Sequence, residues 1–227
     1  MATPIALVSG VTGGIGRALA DGFGAAGYQV TGIDRTEAPA HAFGNYVRLD
    51  ITDTAAVAAF GASLDRVDVL INAAGVIRRV EEFEVAVFEQ VVDINLTGTM
   101  RLATACQPAR ASAVINIASM LSFFGGGLVP GYAASKGGVA QLTKSLAIAW
   151  AKDGIRVNAI APGWIATAMT AALREDAARN RTILERTPMA RWGTPDDLVG
   201  PALFLASEAA RFVTGAILPV DGGYSVM

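Results

Sequence analysis

The sequence predicts an α/β fold in which a mostly parallel seven-stranded sheet is covered by helices on both faces. Seven largely apolar runs of strand length alternate with longer helical segments along the 227 residues. The runs are continuously apolar rather than alternating, which is typical of strands in a parallel sheet buried on both sides. Repeated strand–helix units of this kind favour a doubly wound Rossmann architecture, which is a three-layer sandwich.

The elements follow one another without a break in composition. The predicted strands are residues 5–9, 29–33, 46–49, 67–71, 113–117, 156–160 and 217–220. The predicted helices are residues 15–26, 54–64, 83–104, 132–152 and 195–206. No linker divides the chain, so we expect residues 1–227 to form one dinucleotide-binding and catalytic domain. Residues 167–191 fit the alternation least, and we expect them to be a helical insertion that covers the substrate.

Composition and charge limit the possible partners. The formal net charge is -2 with acids and bases mixed along the chain, which argues against a nucleic-acid-binding stripe. We expect no secretory leader, because the chain runs almost directly into its first strand. The uncharged residues 114–135 contain glycines and a proline that would break a membrane-spanning helix. We therefore expect a soluble, cytoplasmic protein in which the single cysteine, Cys106, is a small buried residue.

A glycine-rich turn follows the first predicted strand. Glycines stand at Gly10, Gly13, Gly14 and Gly16, and a helical segment begins directly there. Such glycines let the backbone approach a pyrophosphate closely, while the helix N-terminus offers free N–H groups and a positive dipole to the anion. The pattern predicts a dinucleotide site, and its alternative is a tight strand-to-helix turn that binds nothing.

The second predicted strand is followed by Asp34 and Arg35. An acid here is close to the spacing at which a carboxylate hydrogen-bonds the adenosine ribose hydroxyls. Arg35 could instead bind the 2′-phosphate of NADP or point into solvent. Because no basic residue lies between Gly10 and Gly16, we expect NAD as the cofactor and treat NADP as the weaker alternative.

Tyr132 and Lys136 are four residues apart, on one face of a predicted helix. A phenol has an ordinary pKa of about 10 and is a poor base at neutral pH. A nearby ammonium favours the phenolate and brings the pKa into a useful range. The pair predicts a proton-transferring tyrosine, against the alternative of an ordinary aromatic residue beside a surface lysine.

Further short motifs stand in a fixed order around this pair. They are Asp50-Ile51, Asn72-Ala73-Ala74-Gly75, Asp93-Ile94-Asn95, Asn116-Ile117-Ala118-Ser119 with Ser119 thirteen residues before Tyr132, and Pro162-Gly163 followed by Thr167. Together with the glycine turn, these motifs resemble the short-chain dehydrogenase/reductase family over essentially the whole chain. Ala73 departs from the family pattern, in which a second asparagine stands at that place.

The resemblance implies four catalytic residues, which are Asn95, Ser119, Tyr132 and Lys136. Ser119 is implied to hydrogen-bond the substrate oxygen, while Tyr132 exchanges the hydroxyl proton. Lys136 is implied to lower the pKa of Tyr132 and to bind the nicotinamide ribose, and Asn95 to hold a relay water. The residues implied to bind the cofactor are Gly10, Thr12, Gly13, Gly14, Ile15, Gly16, Asp34, Arg35, Asp50, Ile51, Asn72, Ala73, Ala74, Gly75, Ile117, Tyr132, Lys136, Pro162, Gly163, Ile165 and Thr167.

Residues 75–79, 116–123 and 190–198 resemble one branch of the family. That branch contains the gluconate 5-dehydrogenases, 2-deoxy-D-gluconate 3-dehydrogenases and 2-dehydro-3-deoxy-gluconate 5-dehydrogenases, which act on sugar acids. It implies a secondary hydroxyl on a sugar acid or related polyol as the reacting group. The candidate substrate contacts are Arg78 with its neighbour Arg79 as cations for a carboxylate, and Met120, Trp164 and Met169. Both arginines could equally be exposed loop residues.

Two other functions stay open at this point. A dinucleotide-binding regulator would need the glycine turn but not the full catalytic set. A reductase of 3-oxoacyl thioesters on an acyl carrier protein would prefer NADPH, against which Asp34 argues. The family also implies a homotetramer in which residues 83–104 and 132–152 pack between subunits. We expect no metal site, because the single histidine, His41, stands in a polar segment away from any cluster of ligands.

Overall fold

A computed structural model describes residues 2–37, 44–106 and 112–227, so that His41 lies outside the described residues. In this part of the chain, seven strands form one sheet in the order β3-β2-β1-β4-β5-β6-β7. Every neighbouring pair is parallel, which confirms the predicted doubly wound sheet. The strands are β1 (Ile5–Ser9), β2 (Gln29–Asp34), β3 (Asn45–Arg48), β4 (Val69–Asn72), β5 (Ala113–Ile117), β6 (Arg156–Pro162) and β7 (Ile217–Val220).

The helices cover both faces of this sheet. Those in the described ranges are α1 (Gly14–Ala25), α2 (Thr54–Ala62), α3 (Val85–Val92), α4 (Gly98–Ala105), α5 (Pro130–Trp150), α6 (Ala171–Glu175), α7 (Ala177–Arg186) and α8 (Val199–Ala206). The helix predicted over residues 83–104 is interrupted, because a π-helical turn at Asp93–Thr97 separates α3 from α4. Such turns add one residue to the helix and occur frequently at functional sites.

Two apolar layers hold the helices against the sheet. Alternate strand residues belong to different layers, with Val8, Ile71 and Ile115 in one and Leu7, Leu70 and Val114 in the other. The first layer includes Phe23 of α1 and Leu205 of α8, and the second includes Leu102 of α4 and Leu146 of α5. This arrangement is the predicted three-layer sandwich.

Cys106 belongs to the second apolar layer, where it is 2% exposed. Burial raises the pKa of its thiol to about 11, so that the reactive thiolate form is disfavoured at neutral pH. The prediction of a small buried cysteine is confirmed.

The order of the strands reverses next to β1, which lies between β2 and β4. Open α/β sheets bind ligands in the crevice at such a switch point, outside the carboxyl ends of the strands. Many of the residues predicted to bind the cofactor follow β1, β2 and β4 at this edge. No helix among the described residues combines the length and the apolar character that crossing a bilayer would require.

Candidate active site

A cleft of about 540 Å³ opens at the switch point. Its walls contain most of the residues predicted to bind the cofactor, together with Met169, which was predicted to contact the substrate. The predicted cofactor residues that line it are Gly10, Thr12, Gly13, Gly14, Ile15, Gly16, Asp34, Arg35, Asp50, Ile51, Ala73, Ala74, Gly75 and Thr167. The volume and the strand-end location suit a dinucleotide.

The glycine turn after β1 leaves no room for side chains at two positions. Gly10 has a φ of +75°, and a Cβ there would lie 2.6 Å from the backbone nitrogen of Ala74. A Cβ on Gly16 would lie 2.2 Å from the carbonyl oxygen of Gly10. Gly13 caps the N-terminus of α1 without a side-chain hydrogen bond, so the first turn of the helix presents its N–H groups to the cleft.

Asp34 at the end of β2 is tied to the glycine turn. Its carboxylate accepts hydrogen bonds from the backbone N–H of Thr12 at 3.1 Å and from the Thr12 hydroxyl at 2.7 Å. The other carboxylate oxygen accepts one from the N–H of Arg35 at 2.8 Å. These bonds hold the Asp34 carboxylate in the wall of the cleft, at the strand end expected for a ribose contact.

Asp50 lies beside this wall and takes part in a local turn. One of its oxygens accepts hydrogen bonds from the backbone N–H and the hydroxyl of Thr52, at 2.9 and 2.8 Å. These bonds, the backbone one foremost, lower the pKa of the Asp50 carboxyl below its ordinary value. The carboxylate form at the cleft wall is therefore favoured.

Seven of the predicted cofactor residues lie outside the walls of the cleft, namely Asn72, Ile117, Tyr132, Lys136, Pro162, Gly163 and Ile165. Asn72 is buried in the sheet, where its side-chain amide donates to the Asn116 oxygen at 2.9 Å. A Cβ on Gly163 would lie 2.6 Å from the Cα of Asp221. Through these contacts, Asn72 and Gly163 support the backbone behind the cleft wall.

Ser9 has a part in this site that sequence analysis missed. Its hydroxyl oxygen accepts hydrogen bonds from the backbone N–H groups of Ala73 and Ala74, at 3.2 and 3.3 Å. The side chain thereby joins the end of β1, where the glycine turn begins, to the segment after β4. A hydroxyl residue at the end of the first strand was the only signal for it.

Tyr132 and Lys136 lie in the first two turns of α5. Lys136 is 5% exposed, and its ammonium donates a hydrogen bond to the carbonyl of Ile117 at 2.6 Å. The nitrogen is 5.8 Å from the centre of the Tyr132 ring. Burial lowers the pKa of Lys136 to about 8. The predicted pair is thus brought together as the four-residue spacing requires.

The electrostatics of Tyr132 differ from the prediction. Burial raises the pKa of its phenol, and this effect outweighs a hydrogen bond with the Ser119 side chain and the charge of Arg79, which both lower it. The nearby carboxylate of Glu82 raises it further. Lys136 was expected to bring the pKa below the ordinary value, but the withdrawal of the phenol from water dominates.

Ser119 stands at the start of a short 3₁₀ turn after β5. Its hydroxyl oxygen accepts a hydrogen bond from the N–H of Leu121 at 3.1 Å, which fixes the side chain beside Tyr132. Ser122 completes the turn: it accepts from the N–H of Ser119 at 3.3 Å and donates to the carbonyl of Lys136 at 2.7 Å. Ser122 was not predicted, and it holds the Ser119 turn against α5.

Asn95 lies in the π-helical turn and is fully buried. Its side-chain oxygen accepts from the N–H of Val76 at 2.8 Å. Its amide donates to the carbonyl of Val76 at 2.9 Å and to the Ser135 hydroxyl at 3.1 Å. The side chain therefore connects the wall of the cleft with α5, and the extra residue of the π turn places it there.

The residues predicted to contact substrate differ in their burial and in their contacts. Arg78 is exposed, whereas Arg79 is partly buried and donates to the carbonyl of Met169 at 3.4 Å across the mouth of the cleft. The charge of Arg79 also acts on Tyr132, where it lowers the pKa of the phenol. Met120, the first residue of the 3₁₀ turn that follows Ser119, is buried at 6% exposure.

Trp164 does not line the cleft. Its ring packs edge-on against Trp192 and Tyr224, with centroids 5.8 and 6.2 Å away. It borders a separate cavity of about 190 Å³ together with Met189 and the ion-paired Arg191. Of the two residues predicted to form an apolar wall, Met169 lines the cleft, whereas Trp164 borders the separate cavity.

Comparisons with known proteins agree with this geometry. Residues 10–225 match a family model described as enoyl-(acyl carrier protein) reductase. The 2-dehydro-3-deoxy-D-gluconate 5-dehydrogenase of Pseudoalteromonas atlantica is 43% identical over 242 residues, which cover 97% of this chain and 95% of the relative.

Two solved structures extend the comparison to the fold. One, from Agrobacterium tumefaciens, is described as a 2-deoxy-D-gluconate 3-dehydrogenase with bound NADP; it is 43% identical with a TM-score of 0.92, covering 99% of this chain and 97% of that one. Another, from Burkholderia thailandensis, is an oxidoreductase described as a member of the short-chain dehydrogenase/reductase family. It is 34% identical with a TM-score of 0.89, covering 100% of this chain and 94% of that one.

Proposed function

Because the chain belongs to the short-chain dehydrogenase/reductase family, we propose that it is an NAD-dependent dehydrogenase that oxidises a secondary hydroxyl of a sugar acid to a ketone. The observation that carries the proposal is the group at the start of α5. A partly buried tyrosine, whose phenol interacts with the Ser119 side chain, lies beside a buried lysine, next to a cleft of dinucleotide size.

The residues at the cleft fit a dinucleotide. The glycine turn has no space for a Cβ at Gly10 or Gly16, so the backbone can approach a pyrophosphate at the N-terminus of α1. Asp34 would accept hydrogen bonds from the adenosine ribose hydroxyls, and its negative charge would oppose a 2′-phosphate. We propose NAD on this ground, with Arg35 as the residue through which NADP would bind instead.

The chain's own residues would act on the substrate oxygen. Ser119 would donate a hydrogen bond to it, while the Tyr132 phenolate takes the hydroxyl proton during oxidation and returns it during reduction. Lys136 would bind the nicotinamide ribose, and Asn95 would hold the wall of the cleft against α5. When bound, NAD supplies the acceptor for the hydride that leaves the substrate carbon.

The choice of a sugar acid rests on Arg79 and on the relatives. A small polyhydroxy acid needs a cation for its carboxylate, and Arg79 lies where its charge acts on Tyr132. The similar proteins from Pseudoalteromonas atlantica and Agrobacterium tumefaciens are named for gluconate derivatives. Residues 167–191, which contain α6 and α7, would cover this substrate, since Met169 contacts Arg79 at the mouth of the cleft.

The test compares a sugar acid with its uncharged parent sugar while NADH absorbance is followed. We expect kcat/KM to favour the acid by about tenfold or more, the equivalent of one charge-assisted hydrogen bond. Arg79→Ala should remove this preference, whereas Arg78→Ala, at the exposed neighbour, should keep it. Tyr132→Phe should lower kcat by at least about 10²-fold on either substrate. An Arg79→Ala variant that still prefers the acid would contradict the assignment of the carboxylate to Arg79.

A second candidate substrate is a 3-oxoacyl thioester on an acyl carrier protein. The matching family model is described as an enoyl-(acyl carrier protein) reductase, an enzyme that also acts on an acyl-carrier-protein thioester but reduces a C=C bond instead of a ketone. A 3-oxoacyl thioester with NADPH belongs in the same assay. Turnover of the thioester above that of every sugar acid would replace the proposed substrate, while the roles of Tyr132 and Ser119 would remain. A non-catalytic regulator would turn over neither.

The last two parts of the proposal are the oligomeric state of the protein and its cellular location. We propose a homotetramer with α3, α4 and α5 between subunits, which would cover exposed apolar side chains such as Met100 and Ile148. The free thiol of Cys106 suits a reducing compartment, and we propose a cytoplasmic location.

A further inference from the structure

Glu82 is a buried carboxylate close to the proposed catalytic tyrosine. It is 1% exposed, and among the described residues the only charged side chains in the buried class are Glu82 and Lys136. Removing a carboxylate from water is costly unless hydrogen bonds and charges compensate. The contacts of Glu82 therefore indicate what it stabilises.

Both carboxylate oxygens of Glu82 accept hydrogen bonds from backbone N–H groups. One binds the N–H of Arg78 at 2.7 Å, and the other binds the N–H of Tyr132 at 2.7 Å, fifty residues away in sequence. Val129, the residue that precedes α5, provides no side-chain cap. Glu82 thus caps the N-terminus of α5 from another segment, where the helix dipole favours a negative charge.

The backbone around Glu82 is held in an uncommon conformation. Val80 has a φ of 69°, which is unusual for a β-branched residue and is strained. Its N–H donates to the carbonyl of Leu128 at 2.8 Å, just before α5. A Cβ on Gly131 would lie 3.3 Å from a Glu82 oxygen, so the helix approaches the carboxylate closely. The segment that carries Arg79 is therefore joined to Tyr132 of α5 and to Leu128 just before that helix.

We propose that Glu82 is a positioning residue that fixes Arg79, the proposed substrate-binding cation, relative to the proton-transferring oxygen of Tyr132. The inference rests on the proposed function, because it assumes the roles given to Tyr132 and Arg79. Through the two backbone bonds, one carboxylate sets the distance between the group that holds the substrate and the group that removes its proton. Small errors in such a distance reduce turnover strongly.

Glu82 also acts on Tyr132 through its charge. Within the described part of the chain, the charged groups that face Tyr132 are Arg79 and Glu82 from the preceding segment and Lys136 from α5 itself. Glu82 raises the pKa of the phenol and Arg79 lowers it. Since oxidation needs the phenolate, neutralising Glu82 should lower that pKa and move the acidic limb of the kcat/KM profile to lower pH.

The experiment compares Glu82→Gln, Glu82→Asp and the matched control Glu81→Gln, whose side chain is exposed in the same turn. For Glu82→Gln we expect the plateau of kcat/KM to fall by about tenfold or more and the acidic limb to move to lower pH. Glu82→Asp keeps the charge, but its side chain is too short to bind both N–H groups. The plateau of kcat/KM should therefore fall while the acidic limb stays at the wild-type pH. Glu81→Gln should match the wild type, and NADH binding should persist in all three variants.

A plateau within about twofold of wild type in Glu82→Gln would overturn the proposal, as would an equal loss in Glu81→Gln. A plateau that falls while the acidic limb stays at its wild-type pH would reduce Glu82 to a purely structural cap and also overturn it. Failure of the proposed function is distinct, because the wild-type enzyme itself would then leave the sugar acid unoxidised.

Discussion

Burial of Lys136 lowers the stability of the folded protein near neutral pH, while the same position beside Tyr132 suits the proposed catalysis. The pKa of Lys136 falls to about 8 on burial, from the 10.5 of an exposed lysine. Between these values the unfolded chain binds the proton and the folded chain does not, so stability rises with pH in this window. Below pH 8 the folded protein carries a buried charge at full cost. A proposed active site therefore contains a group that a stability-optimised core would not.

We accordingly predict that Lys136→Met inactivates the enzyme but stabilises it at pH 7. The pKa shift of Lys136 corresponds to a cost of roughly 3 kcal/mol in the free energy of unfolding at pH 7. Because the variant also loses the hydrogen bond to Ile117, we expect a net stabilisation of about 1 to 2 kcal/mol. Urea unfolding of both proteins at pH 7 and pH 10 measures the effect. The advantage of the variant should shrink toward pH 10; an advantage that does not depend on pH would refute the buried-charge explanation.

Asp34 is the residue on which cofactor choice depends. We expect the wild-type kcat/KM to favour NAD over NADP by more than about tenfold, which requires only about 1.4 kcal/mol. Asp34→Ala should narrow this preference, since Arg35 would then meet the 2′-phosphate without a competing carboxylate. Initial rates with both cofactors at one substrate concentration are the measurement. A wild-type preference for NADP would show that Arg35 dominates.

At the scale of elements, the turn between β1 and α1 depends on close backbone contact. Gly16→Ala would place a Cβ 2.2 Å from the Gly10 carbonyl oxygen, so we predict weaker NADH binding and a lower unfolding midpoint. Gly24→Ala, in the same helix, meets nothing closer than 3.9 Å and should stabilise the protein by about 0.4–1 kcal/mol. Thermal unfolding and NADH fluorescence test both variants. Equal effects would show that the turn is not sterically limited.

At the scale of the whole molecule, the prediction concerns assembly. Ile148 on α5 is 81% exposed in the single chain, and a partner subunit that covered it would remove this apolar surface from water. We predict a tetramer in light scattering and its dissociation by Ile148→Glu. Arg181→Glu, a charge change on the exposed face of α7, should leave the assembly intact. A wild-type monomer would contradict the proposed packing.

The sequence determined the parts of this protein that contiguous residues encode. The seven strands, the glycine turn and the four-residue spacing of Tyr132 and Lys136 follow from local periodicity and steric limits, and the structure places them as predicted. The strand-end position of Asp34 follows in the same way. Each of these features depends on neighbours within one element and the turn that follows it.

Tertiary structure alone decided which distant segments meet. Glu82 reaches the N–H of Tyr132 across fifty residues because Val80 adopts a strained conformation, and no local pattern encodes that path. The π turn that brings Asn95 to Val76 leaves the apolar periodicity of its helix almost unchanged, so it was invisible in the sequence. Burial likewise reversed the expected pKa shift of Tyr132, because desolvation depends on everything packed around the phenol and not on the lysine four residues away.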